Sequence, residues 1–126
     1  MVLYIVHNKS NGLTKIGITE DLRRRINQID RSCGARVDLV SWAVIDHAES
    51  MEKFLHATFD AYRVLGEWFA LDMEAKDFLI HLWVEYFGYF VNKKTTVFSY
   101  KVPTTWCAPY GTDDTQRIDF DIEYVS

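Results

Sequence analysis

Two short runs of β-branched and aromatic residues open the chain and predict a β-hairpin. They cover residues 3–6 and 14–19, and a polar stretch that ends in Asn11-Gly12, a typical hairpin turn dipeptide, separates them. Side chains alternate along a strand, so a loop of even length fixes which residues share a face. One face takes Tyr4, Lys15 and Gly17, and the other takes Ile5, Ile16 and Ile18. We expect the glycine to leave room beside Tyr4.

Helical spacing of apolar residues follows the hairpin. The stripe consists of Leu22, Ile26 and Ile29. Thr19 is the expected N-cap, with Glu20 and Asp21 in the first turn, where negative charge suits the helix dipole. Of the three consecutive arginines in this helix, Arg25 lies closest to the apolar stripe and Arg24 points almost away from it, since each residue turns by roughly 100°. We therefore expect only Arg25 to reach back toward the hairpin.

A second amphipathic helix is predicted over residues 48–62. Its inner stripe is Met51, Leu55, Thr58 and Tyr62, flanked by Phe54 and Phe59. Glu52 lies at the edge of that stripe, and His56 lies one turn further along. Both side chains are therefore expected at the border between core and solvent.

Residues 73–90 predict a third helix with a dense aromatic stripe, which is typical of a core-facing surface. Strands are predicted over 95–102 and 117–125, and the second alternates strictly. Its outward row is acidic and consists of Asp119, Asp121 and Glu123. A solvated edge, protection against edge-to-edge aggregation and a mimic of a phosphate ladder are three interpretations of that row.

These elements predict an α+β fold, an α/β sandwich in which helices flank a small antiparallel sheet opened by the hairpin. We expect a domain over residues 1–92 and a C-terminal hairpin extension over 93–126 that packs on the same domain.

Composition narrows the class of protein. The 126 residues, 48% hydrophobic and 15% aromatic, suffice for one domain with a core. The absence of a long apolar run and of a signal-peptide pattern predicts a cytoplasmic protein without a membrane anchor. Two cysteines far apart in sequence, Cys33 and Cys107, are expected to be reduced thiols.

The chain resembles the GIY-YIG nuclease superfamily over about residues 2–71. The resemblance rests on four residues that occur in the family's order: Tyr4, Lys15, Arg25 and Glu52. Tyr4-Ile5-Val6 and Lys15-Ile16-Gly17 stand where that family has its two name-giving motifs. The ending Gly66-Glu67-Trp68-Phe69 is similar to a phage and bacterial DNA-binding branch, the meiotically up-regulated-gene type. The chain departs from the pattern in three ways: the first-motif glycine is absent, with Val2-Leu3 before Tyr4; Lys15 replaces the second tyrosine; and Ile29 replaces a histidine.

The resemblance implies metal-dependent hydrolysis of phosphodiester bonds. It makes Glu52 the ligand of a single Mg²⁺ or Mn²⁺, Arg25 the group that neutralises charge at phosphorus, and Tyr4 the group that positions the attacking water or accepts its proton. Lys15 would lower the pKa of Tyr4 or contact the phosphate, and His56 would serve as an auxiliary proton relay. The motif residues Gly17, Gly66, Glu67 and Trp68 are expected to have structural roles, with Glu67 holding a backbone turn.

DNA, duplex or branched, is the expected partner. The residues expected to bind it are Arg23, Arg24, Arg31 and Arg36. A net charge of −4 argues for weak, salt-sensitive binding. A homodimer and a host or phage protein partner stay open. The competing hypothesis is a catalytically weak or inactive GIY-YIG-like module that binds DNA or inhibits a protein.

Overall fold

A five-stranded antiparallel sheet forms the centre of the computed structural model, which describes residues 1–88 and 90. The strands in chain order are β1 (Val2–Asn8), β2 (Leu13–Thr19), β3 (Asp38–Val44), β4 (Arg63–Leu65) and β5 (Trp68–Phe69). Their spatial order is β3-β1-β2-β5-β4, and every pairing is antiparallel. Together with the flanking helices, this sheet confirms the predicted α+β fold.

The β1–β2 hairpin has the predicted facing. Tyr4 lies opposite Gly17, and Ile5 lies opposite Ile16. The turn closes through a hydrogen bond of 2.8 Å from the Gly12 amide to the Asn8 carbonyl. Gly12 has a φ of 74°, a conformation that costs glycine little and that side chains with a Cβ resist.

Three α-helices pack on the sheet: α1 (Leu22–Cys33), α2 (Ala48–Thr58) and α3 (Met73–Phe87). The predicted N-cap of α1 was wrong. Asp21, not Thr19, caps the helix, because its Oδ1 accepts a hydrogen bond of 3.1 Å from the Arg24 amide. Glu20 and Asp21 therefore precede the first turn instead of lying in it.

Two predicted helix ends also need correction. The second helix stops at Thr58, and a short 3-10 turn over Asp60–Tyr62 follows. The third helix stops at Phe87, because Gly88 adopts a left-handed φ of 80° that ends the helix.

The sheet separates two hydrophobic cores. The face covered by α1, called here the α1 face, buries Val2, Tyr4, Val6, Leu22, Ile26, Ile29, Val37, Leu39 and Trp42. The opposite face, called here the α2/α3 face, buries the following larger set: Leu3, Ile5, Ile16, Val40, Ala43, Leu55, Phe59, Phe69, Leu71, Ala75, Leu79, Leu82, Trp83 and Phe90.

The two stripes on this second face differ from their predictions. Thr58, expected inside, is exposed, whereas Phe59, expected as a flank, is buried. On α3 the aromatic stripe is only partly covered, since Phe78 and Tyr86 are exposed.

Several predicted features lie outside the described residues. They are the strands over 95–102 and 117–125, the acidic row, Cys107 and the domain boundary at 92. Cys33 is a free, half-buried thiol. Within the described part of the chain, none of the helices has the length and apolarity that crossing a membrane requires.

Candidate active site

Strand β2 continues past the end of its neighbour β5, and this leaves an opening in the sheet. β5 pairs only with Thr14 and Lys15, whereas β2 runs on to Thr19. The last backbone contact on this side is a 3.3 Å hydrogen bond from the Ile16 amide to the Glu67 carbonyl. From Gly17 onward, side chains attached to either face of the sheet can therefore approach β2.

Tyr4 reaches this opening because position 17 is a glycine. Tyr4 is fully buried on β1, and its ring lies across Gly17. A Cβ added at position 17 would lie 2.5 Å from the Tyr4 hydroxyl and 2.8 Å from Cζ, both far inside van der Waals contact. Only a residue without a side chain permits this position of the phenol.

Arg25 reaches back to the hairpin, as predicted, and there it contacts the Tyr4 phenol. Its Nε donates a hydrogen bond of 3.3 Å to the Tyr4 hydroxyl, and its Nη1 donates one of 3.3 Å to Gln28 Oε1. Arg23 and Arg24 are exposed, which agrees with the expectation that Arg25 alone turns inward.

The electrostatic surroundings keep the phenol protonated at neutral pH. Burial raises the pKa of Tyr4, and the charges of Glu67 and Glu52 raise it further. The hydrogen bond and positive charge of Arg25 act in the opposite direction. The cation that lowers this pKa is thus Arg25, whereas the family resemblance offered this effect as one of two roles for Lys15.

Glu52 lies on α2 at the partly buried border that was predicted for it, close enough for its charge to raise the pKa of Tyr4. Its Oε2 is buried and accepts no hydrogen bond from the part of the chain that the structure describes. Burial raises the pKa of Glu52, the charge of Glu67 adds to this rise, and the charges of His56 and Lys15 oppose it. A buried carboxylate oxygen without a donor suits a hard cation.

Lys15 and Glu67 form an ion pair beside the phenol. Lys15 Nζ lies 3.1 Å from Glu67 Oε1 and 5.3 Å from the centre of the Trp68 ring. Glu67 Oε1 would itself lie 3.1 Å from a Cβ at Gly17, so it approaches the same point as the Tyr4 hydroxyl.

Glu67 was expected to hold a backbone turn. Its carboxylate instead pairs with Lys15 and approaches Gly17. In this turn, Arg63 makes the contact to the backbone, through a hydrogen bond to the Gly66 carbonyl. The Gly66-Glu67 pair directly before a strand is the only sequence signal for this role of Glu67. It does not show that β5 pairs with β2 at Lys15.

His56 supports the strand next to the site. Its Nε2 lies 2.7 Å from the Ile16 carbonyl, so this nitrogen carries the proton and donates it. The ring packs against Phe69, with 5.2 Å between ring centres.

The predicted DNA-binding arginines do not all lie together. Arg24 joins Arg25 and Gln28 along an open cleft of about 420 Å³ at the start of α1. Arg31 lies in the last turn of α1, about 9 Å further along the helix axis than Arg25. Arg36 is exposed in the connection to β3.

Among the described residues, no group of three or more His, Cys, Asp or Glu side chains is arranged to hold a metal ion. Any cation at this opening would therefore take one or two carboxylate ligands and complete its shell with water and substrate oxygens. Mg²⁺ commonly binds in this way.

A tyrosine, an arginine, a lysine and the Glu67 carboxylate thus lie around one glycine of a small antiparallel sheet. The model of the T5orf172 domain matches residues 1–84, so the chain belongs to the T5orf172 domain family, a phage-associated domain of nuclease type. No curated protein and no solved structure matches the chain.

Proposed function

We propose that this protein is a metal-dependent DNA endonuclease of the GIY-YIG type, encoded by a phage or mobile element. The observation that supports this most strongly is the cluster beside Gly17: Arg25 donates to the Tyr4 hydroxyl, and Lys15 pairs with the Glu67 carboxylate that approaches the same glycine. Glu52, on α2, is close enough for its charge to act on Tyr4.

Glu52 would hold a single Mg²⁺ or Mn²⁺ through its unpaired Oε2. When bound, this ion would polarise the scissile phosphate and stabilise the leaving oxygen. A bound cation would also offset the burial and the negative charge of Glu67, which both raise the pKa of Glu52.

The other side chains would act directly on substrate and water. Arg25 would stabilise the negative charge that builds up on the phosphate oxygens, because its guanidinium lies beside Tyr4 and lines the open cleft at the start of α1. Tyr4 would orient the attacking water through its hydroxyl, which stays protonated and can both donate and accept. His56 would contribute by fixing the Ile16 carbonyl rather than by moving a proton.

DNA would enter along the start of α1. The cleft beside Arg25 also carries Arg24, and a phosphate there would meet two guanidinium groups. Glu20 and Asp21 line the same cleft and oppose this attraction. We therefore expect affinity for DNA that falls steeply with salt.

The alternative function, a module that binds DNA or a protein without cutting, has one specific observation in its favour. Ile29, which replaces a histidine of several nuclease branches, is only 5% exposed and belongs to the core of the α1 face. An isoleucine cannot transfer a proton, so catalysis would depend on the remaining side chains.

The test is cleavage of supercoiled plasmid and of a branched-DNA panel at low salt with Mg²⁺ or Mn²⁺. Wild type should nick DNA, and Glu52→Ala and Arg25→Ala should each abolish nicking. Glu49→Ala is the matched control, because Glu49 is an exposed carboxylate on the same helix.

Nicking that both site variants retain would contradict the proposal. Absence of cleavage from every protein, together with DNA binding that Glu52→Ala leaves unchanged, would favour the binding module.

A further inference from the structure

Several backbone and side-chain contacts stabilise the turn between β4 and β5, which carries Glu67. Gly66 adopts a φ of 57°, and Arg63 donates hydrogen bonds to both the Gly66 carbonyl and Asp60 Oδ1. The next residue, Glu67, also binds the Ile16 amide through its carbonyl. The position of its side chain is thus fixed by contacts on both sides of the turn.

Lys15 is not a solvated strand lysine. Its side chain is only 11% exposed, and its ammonium meets the Glu67 carboxylate on one side and the Trp68 ring on another. An ammonium withdrawn from water to this extent needs a compensating charge. The compensating charge is the carboxylate of Glu67. The pairing of β2 with β5 places it there, because Lys15 lies directly opposite Trp68, the residue that follows Glu67.

Electrostatics tie this pair to the rest of the site. The charge of Glu67 acts on Tyr4, Arg25 and Glu52, and the charge of Lys15 acts on Glu52. A free Glu67 carboxylate would disfavour ionisation of Glu52, and Lys15 offsets this effect. The lysine and the glutamate therefore work as a unit within the cluster.

We infer that Glu67 is a positioning residue of the reaction, which together with Trp68 holds the Lys15 ammonium beside Tyr4 and Glu52. This inference rests on the proposed nuclease function and adds a residue to it. Glu67 acts through Lys15, so the acidic residue of the β4–β5 turn compensates for a lysine in place of a phenol at position 15.

The experiment is a double-mutant cycle in plasmid cleavage with Lys15→Met, Glu67→Gln and the double variant. A misplaced ammonium should lower kcat by roughly 10²-fold. Each single variant should show this loss with KM unchanged, and the double variant should be no slower than Lys15→Met. Glu67→Asp should recover part of the rate. Lys9→Met is the control, because Lys9 is an exposed lysine that pairs at 3.9 Å with the buried Asp38, near the turn of the hairpin.

Two kinetic outcomes would overturn the inference. Full kcat in Glu67→Gln would make the pair merely structural, and losses that multiply in the double variant would show that Glu67 acts independently of Lys15. Thermal unfolding of each variant separates these outcomes from misfolding.

A second readout does not depend on cleavage. In NMR spectra, the Lys15 ammonium protons should exchange slowly in wild type and rapidly in Glu67→Gln. Rapid exchange in wild type would contradict the pairing itself. If the nuclease proposal failed, this signal would still report on the Lys15–Glu67 contact.

Discussion

The two faces of the sheet each bury a titratable side chain of β1, and the comparison shows what distinguishes the candidate site. On the α1 face, Tyr4 reaches the opening at Gly17 and accepts a hydrogen bond from Arg25. On the α2/α3 face, His7 is 3% exposed, and its Nδ1 has no hydrogen-bond partner among the described residues. Burial raises the pKa of Tyr4 and lowers that of His7, so both are neutral at pH 7. Tyr4 and His7 are thus both buried, and both have a shifted pKa. What distinguishes Tyr4 is its hydrogen bond to Arg25 beside the opening at Gly17.

The largest difference in cleavage rate between a variant on the α1 face and one on the α2/α3 face is expected for Tyr4→Phe and Ile5→Val. These are two small changes at neighbouring positions of β1. Each removes one group and should lower the free energy of unfolding by about 1 kcal/mol. Tyr4→Phe should in addition lower the cleavage rate by roughly 10²- to 10⁴-fold. Urea unfolding and plasmid nicking measure the two effects. Equal cleavage rates in both variants would remove Tyr4 from the site.

Gly17→Ala should have the next largest effect. The new Cβ overlaps the Tyr4 hydroxyl, so the ring must move, at a cost of about 1–3 kcal/mol in stability. Displacing the phenol should lower cleavage by about 10²-fold. Gly12→Ala is the control: its Cβ meets nothing within 4 Å, but its positive φ costs about 1 kcal/mol. Cleavage by Gly12→Ala below its melting temperature should match wild type.

The prediction for His7 concerns pH. Its pKa is lowered to about 4, first by burial and then by the charge of Lys76. The unfolded chain binds a proton near pH 6.5 and the folded chain only near pH 4, so stability falls as pH drops through this window. The contribution lost should reach at most about 3 kcal/mol. His7→Gln should flatten this part of the curve of unfolding free energy against pH, whereas His81→Gln, at an exposed position, should not.

The smallest effect is expected from the helix caps, one on each face. Asp21→Ala and Asp72→Ala each remove one hydrogen bond to a helix amide, to Arg24 and Ala75, and should each cost about 1 kcal/mol. Only Asp21→Ala loosens the turn that carries Arg25, so it alone should also reduce cleavage, by less than about tenfold. An equal reduction in both variants would assign the effect to stability.

The sequence predicted those parts of the site that depend on local geometry. Strand alternation put Tyr4 and Gly17 on one face, and helical rotation selected Arg25 among three arginines. Both follow from fixed angles between successive residues.

Other parts depend on contacts between distant segments, which no local pattern reports. Strand β3 reads DLVSWAV and is buried on both faces, so it lacks the alternation that marks a strand. Strand β5 has two residues, and its pairing with Lys15, more than fifty residues earlier, decides where Glu67 points.

The contact between Tyr4 and Gly17 has an evolutionary consequence. Any side chain at position 17 collides with both the hydroxyl and Cζ of a tyrosine at position 4, so position 17 is not free to drift alone. Removing the hydroxyl does not relieve the collision with Cζ, and a substitution at 17 is accommodated without strain only after position 4 has lost its ring. The dependence runs in one direction, because a glycine at 17 leaves room for other residues at position 4. A lineage that has lost the glycine should also have lost the tyrosine, and with it the activity proposed for this site.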